Sequence, residues 1–112
     1  MTLDETIQNG IAIFRLAGEL DLKEAPNVEA KLGARATGTK PRAVVNLERL
    51  EYIDSAGLRA LLKSSKIFSS KGGTLVLVAP SPAVRHVLEI TRTLSQFQLA
   101  ASEAEALTAL GA

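Results

Sequence analysis

The segment YIDSAGLRALL, residues 52–62, sets two hydrogen-bonding side chains, Asp54 and Ser55, directly ahead of an apolar pattern of helical period. A serine at that place can be a nucleophile, a helix cap or the acceptor of a transferred phosphate. The first role asks for a neighbouring base. It also asks for the G-x-S-x-G elbow, in which Ile53 stands here instead of the first glycine. The one histidine, His86, falls in a later helical pattern beside Val87 and Leu88 and reads as a helix-surface residue. No catalytic serine is expected, and no enzyme. GARATGTKP, 33–41, comes close to a phosphate-cradling loop, but Thr39 separates Gly38 from Lys40 and a helix precedes it where a strand should. It reads as a helix-to-strand connection.

Asp21 and Asp54 each follow a strand pattern and open a helical one, so a parallel sheet brings them to the same edge. Paired carboxylates can hold a divalent ion or act as acid and base. Helix capping, favoured by the macrodipole, explains both more simply. Ligand sites in α/β sheets gather at this edge, the C-terminal ends of the strands. Ser55 is then expected to expose its hydroxyl, followed by the small residues Ala56 and Gly57. A glycine in the first helical turn costs about 0.5–1 kcal/mol relative to alanine and asks for a reason, such as the close approach of another backbone. Clearance for a docking kinase is the reason the sequence suggests. A phosphate on Ser55 would add about −1.5 to −2 charges. Helix N-terminal amides tolerate such a group, so the effect is expected on binding, with the fold spared.

The elements that must carry these residues are legible in outline. Asn9-Gly10 predicts a hairpin turn between two opening strands, the second being IAIFRL at 11–16. Ala25, Val28, Leu32 and Ala36 recur at helical spacing, with Asp21 and Glu24 resembling a capping box and Gly38 and Pro41 as the stop. RAVVNL, 42–47, predicts a strand covered on both faces. ERLEYI follows as a loop, and then a second helix with Leu58, Leu61, Leu62, Ser65 and Phe68 inward. TLVLVA, 74–79, is another buried strand. Ser81-Pro82 opens a third helix with Val84, Val87, Leu88 and Thr91 inward. FQL, 97–99, predicts an edge strand, and SEAEALTAL a last helix behind an S-x-x-E box. The expected fold is α/β: a mixed sheet with an N-terminal antiparallel hairpin, parallel inner strands and about four helices, in one domain, 1–112.

Composition narrows the partners. Net charge is +1 in a chain of 112 residues without a Lys/Arg run, and aromatic residues make up 4%, so nucleic acid is not an expected ligand. Cysteine is absent, which excludes disulfides and thiolate zinc, and the lone histidine excludes a histidine-rich metal site. No cofactor is expected. The N-terminal MTLDETIQNG lacks the basic and apolar regions of a signal peptide, and no apolar run is long enough for a membrane span. The expectation is a cytoplasmic domain without membrane insertion, meeting other molecules by local contacts.

GELD at 18–21, AP at 25–26, VVNL leading into YIDSAGLRALL, GGTLVLVAPSPAVRHVLEITRT and the closing SEAEALTAL together resemble the STAS domain. Within it they are similar to the single-domain anti-sigma factor antagonists of bacteria. The likeness covers nearly the whole chain, in order. It implies partner switching: an anti-sigma factor with serine-kinase activity phosphorylates the serine of D-S-x-G-L, the unphosphorylated form binds that kinase and frees a sigma factor, and a serine phosphatase restores it. Carried over, Ser55 is the acceptor, Asp54, Ala56, Gly57 and Leu58 line the docking surface, and Asp21 lies beside it. Two positions depart from the family pattern. Asn46 stands where many members have an acid, and Arg59 where the best-known antagonists have a second glycine, which puts a cation on the docking face. Two other readings stay open: a non-switching STAS adaptor, for example in an ATP-binding-cassette lipid transport complex, in which Ser55 is only a cap, and a small-ligand sensor using the region of Asp21 and Asp54.

Overall fold

The computed structural model describes all residues, Met1–Ala112. β1 (Thr2–Gln8) and β2 (Ile11–Leu20) form the opening hairpin, and α1 (Ala25–Gly33) leads to β3 (Arg42–Ile53). α2 (Ser55–Ser70), β4 (Thr74–Val78), α3 (Pro82–Ile90), β5 (Gln98–Ala100) and α4 (Glu103–Ala109) complete the chain, with a 3₁₀ turn at Leu94–Gln96. The sheet order is β1-β2-β3-β4-β5, with β1 antiparallel to β2 and the other pairs parallel. Asn9 and Gly10 both take positive φ, 52° and 78°, as a two-residue I′ turn requires.

Period-2 alternation divides the core. Ala12, Phe14 and Leu16 of β2, Ala43, Val45 and Leu47 of β3, and Leu75 and Leu77 of β4 face α1, α2 and α3 through Val28, Leu32, Leu61, Phe68, Val84 and Leu88. The intervening Ile11, Ile13, Val44, Val76 and Val78 face α4 through Ala106 and Leu107. Strands buried on both sides read as unbroken apolar runs for this reason.

Several expectations need correction. Residues 48–53 are not a loop: β3 continues through them to Ile53. Two register shifts against β2, between Arg15 and Ala17 and between Gly18 and Glu19, each give β3 one extra residue. Its inward residues therefore fall at Leu47, Leu50 and Ile53, a spacing that does not look like a strand. α1 ends at Gly33, before the Gly38 and Pro41 stop, although Ala36 is still buried. In α2 the buried serine is Ser64, not Ser65. Thr91 is exposed, and Thr93, just past the end of α3, takes the inward place.

The face of the sheet shared with α4 holds the main polar cluster. Arg15 donates through Nε and Nη2 to the two carboxylate oxygens of Glu103, both at 2.8 Å. Asn46 Nδ2 donates to Glu103 Oε2 at 2.8 Å, and Arg15 Nη1 also reaches Asp4 at 3.1 Å. These bonds clasp the first turn of α4 to β2 and β3. The hydrogen bond from Arg15, ahead of that from Asn46, holds the Glu103 carboxyl below its ordinary value, against the opposing effect of burial. An acid at position 46 would face the Glu103 carboxylate, so the amide of Asn46 suits this neighbour.

Glu103→Gln is expected to lower stability at neutral pH by about 1 kcal/mol, solvent around Arg15 limiting the effect. A carboxyl depressed in the folded state stabilises above its unfolded value, about 4.5, and that stabilisation is lost as pH falls through the folded one. The gap between native protein and variant, read from denaturant midpoints, should therefore close on acidification below pH 4.5.

Candidate functional site

The C-terminal ends of β2 and β3 lie side by side, and each turns at once into a helix. Asp54 is the extended N-cap of α2, and its Oδ1 accepts from the amide of Gly57 at 2.8 Å. Its Oδ2 accepts from the amide of Leu22, in the other turn, at 3.0 Å. Its own amide donates to the carbonyl of Leu20 at 3.2 Å. Its carbonyl accepts from the amide of Leu58 at 2.9 Å, so one residue closes four bonds, two of them across to Leu20 at the end of β2 and Leu22 in the turn after it. Asp21 does comparable work within that turn, its Oδ1 accepting from the amides of Lys23 and Glu24, both at 3.1 Å. The structure brings the two aspartates to one edge, as the sequence implies, with both carboxylate oxygens of Asp54 and one of Asp21 bonded to backbone amides. No group of three or more His, Asp or Glu side chains could hold a metal ion.

Gly57 fits the remaining gap. A Cβ there would overlap the Leu20 carbonyl and lie 2.8 Å from Leu20 Cγ and 3.0 Å from Ile53 Cγ1. The close backbone approach that the sequence asks for is therefore internal, from β2, and no docking kinase is needed to explain this glycine. Gly57 and Leu58 are both buried, Leu58 in the main core, so neither lines an outer surface; they hold its floor in place.

On α2, Ser55, its first residue, and Arg59 one turn on are exposed, as are Leu22 and Lys23 in the neighbouring turn, with Asp21, Asp54 and Ala56 half-buried among them. The Ser55 hydroxyl has no hydrogen-bond partner within the chain, since Asp54 supplies the cap. A residue that sequence reasoning missed stands beside it. Leu22 is 73% exposed, its amide pinned by Asp54 and its side chain bordering a shallow hollow shared with Ala56, Arg59, Pro26 and Glu29. Its signal was an apolar residue without a periodic partner, set between Asp21 and Lys23. The arrangement offers an unengaged hydroxyl on a rigid turn, next to an apolar side chain and a cation. His86 is exposed on α3, as expected of a surface residue.

The STAS domain family model matches residues 2–106. BtrV of Bordetella bronchiseptica, provisionally named an anti-sigma factor antagonist, is 38% identical over 109 residues, spanning 97% of this chain and 92% of that one. An anti-sigma factor antagonist from Mycobacterium paratuberculosis, solved by crystallography, superposes with a TM-score of 0.85 at 28% identity, covering 99% of this chain and 94% of that one. The Bacillus cell fate determinant SpoIIAA, solved in its phosphorylated form, superposes with a TM-score of 0.72 at 25% identity, covering 96% and 98%.

Substitutions should separate scaffold from surface. Gly57→Ala is expected to destabilise by about 2–4 kcal/mol, since a methyl group must displace β2 backbone. Asp54→Ala should cost about 1–3 kcal/mol through loss of the cap and of the bond to Leu22. Ser55→Ala should change stability by less than about 0.5 kcal/mol. Urea denaturation of the three variants checks the order.

Proposed function

The chain belongs to the STAS domain family, and we propose that it is an anti-sigma factor antagonist switched by phosphorylation of Ser55. The partner is an anti-sigma factor with serine-kinase activity. When Ser55 is bare the chain docks on that kinase and a sigma factor is freed. The kinase then passes the γ-phosphoryl group of its ATP to Ser55 Oγ; the hydroxyl proton is lost, ADP leaves, and the modified chain is released. A serine phosphatase returns the hydroxyl, using water and liberating inorganic phosphate. ATP belongs to the kinase, so the chain itself needs no cofactor. The exchange takes place in the cytoplasm, and no helix of the chain is long and apolar enough to cross a membrane.

The observation that carries this reading is the exposed, unengaged Ser55 hydroxyl beside Asp54, whose two carboxylate oxygens are already bonded. The SpoIIAA structure supports it through likeness in fold, since that protein was solved in a phosphorylated form. Physical reasoning supplies the direction of the switch. Moving a complex from 99:1 bound to 1:99 takes about 5.5 kcal/mol. Stripping water from a phosphate dianion inside an interface is a cost of that order. Asp21, Asp54, Ser55, Ala56 and Arg59 form the docking surface, joined by Leu22; Gly57 and Leu58 support it from beneath.

Incubation with candidate kinases and ATP, followed by mass mapping, should place one phosphate on Ser55. Ser55→Ala should keep binding the kinase, and Ser55→Asp should bind much more weakly. Leu22→Ser should weaken docking about tenfold or more at unchanged stability, as loss of an apolar anchor does. Equal binding by native protein, Ser55→Ala and Ser55→Asp would overturn the switch.

A further inference from the structure

The outer face of α2 carries Arg59, Lys63 and Lys66, spaced to lie along one stripe, and no acid occurs between Ser55 and Ser70. Only Lys63 has a partner, Glu29 of α1, at 3.4 Å. Arg59 takes part in none of the ion pairs of the fold. It stands between two hollows. One, of about 130 Å³, is bordered by Leu22 and Ala56. The other, of about 470 Å³, lies along Leu62, Lys66 and Ile67. The carboxylates of the site bond to other groups: Asp54 to the amides of Gly57 and Leu22, Asp21 through one oxygen to those of Lys23 and Glu24, and Glu29, which borders the first hollow, through one oxygen to Lys63.

Arg59 follows Ser55 by four residues on one helix, which places their Cβ atoms about 5–6 Å apart, with the anion-bearing member on the favourable N-terminal side. A guanidinium fork matches phosphate oxygens, and a phosphoserine offers three of them. We infer that Arg59 is the residue through which modification of Ser55 is read. With Ser55 bare, Arg59 heads the cationic stripe and pairs with a carboxylate on an acidic partner whose apolar ridge seats on Leu62 and Ile67. With phosphate on Ser55, the guanidinium closes on it and the docking cation is withdrawn. This rests on the phosphorylation of Ser55 proposed above. It adds a second cause of release, beside the bulk and charge of the phosphate.

The pairing can be tested without a partner, on the chain prepared with phosphoserine at position 55. In a phosphorus-NMR titration, Arg59→Gln should raise the second ionisation of that phosphate by about half a unit, and molar salt should shrink the difference. Identical titration of the native and Arg59→Gln phosphoproteins would overturn the inference, whatever a kinase does to Ser55. In the kinase-binding assay, Arg59→Gln should weaken the unmodified chain about tenfold and leave a correspondingly smaller further loss on phosphorylation. Equal losses on phosphorylation in both chains would overturn it as well. A kinase that leaves Ser55 untouched defeats the switch reading instead, and the titration still decides the pairing.

Discussion

The carboxylate of Asp54 is the constraint on which this site depends. It ends a strand, caps a helix and fastens a neighbouring turn, because its two oxygens point at amides that belong to different crossovers. A parallel sheet leaves such amides unsatisfied at its C-terminal edge, since each helix begins with donors that have no intrahelical acceptor. One short acidic side chain between two adjacent turns meets both needs. Gly57 makes the arrangement possible by letting α2 press against the Leu20 carbonyl. Burial of Leu58 and Ile53 beneath the turn then prevents it from sliding.

That division of labour leaves Ser55 free. Had the serine been the cap, its hydroxyl would be turned toward the helix amides, and a phosphate could attach only by breaking the cap. With Asp54 in that role, the exposed Ser55 hydroxyl has no bond within the chain, and a phosphate placed there would leave the bonds of the turn in place. Leu22 is tied to the same carboxylate through its backbone amide while its side chain stays exposed. An apolar residue held outward next to an unengaged hydroxyl is the surface on which the proposed switch would act.

Most of the architecture is legible in the sequence because its signals are local. Asn9-Gly10 needs two positive φ angles and gets them; Ser81-Pro82 opens α3; Ser102 opens α4, although Glu105 reaches the amide of Ala101 and not that of the cap itself. The extension of β3 is illegible because two bulges destroy the alternation that marks a strand. At the site, the aspartates and Ser55 follow from helix-start chemistry. The burial of Gly57 and Leu58 does not, since it depends on how closely β2 passes α2. The partnership of Asn46 with Glu103 spans 57 positions and has no local trace.

The turn is held in place by side-chain bonds to four backbone amides. Signals carried by loops that order and disorder include a slow rearrangement between stimulus and response. Under the proposed switch the two states would differ by one substituent on a fixed frame, so the tempo of the output would be left to the enzymes that add and remove it.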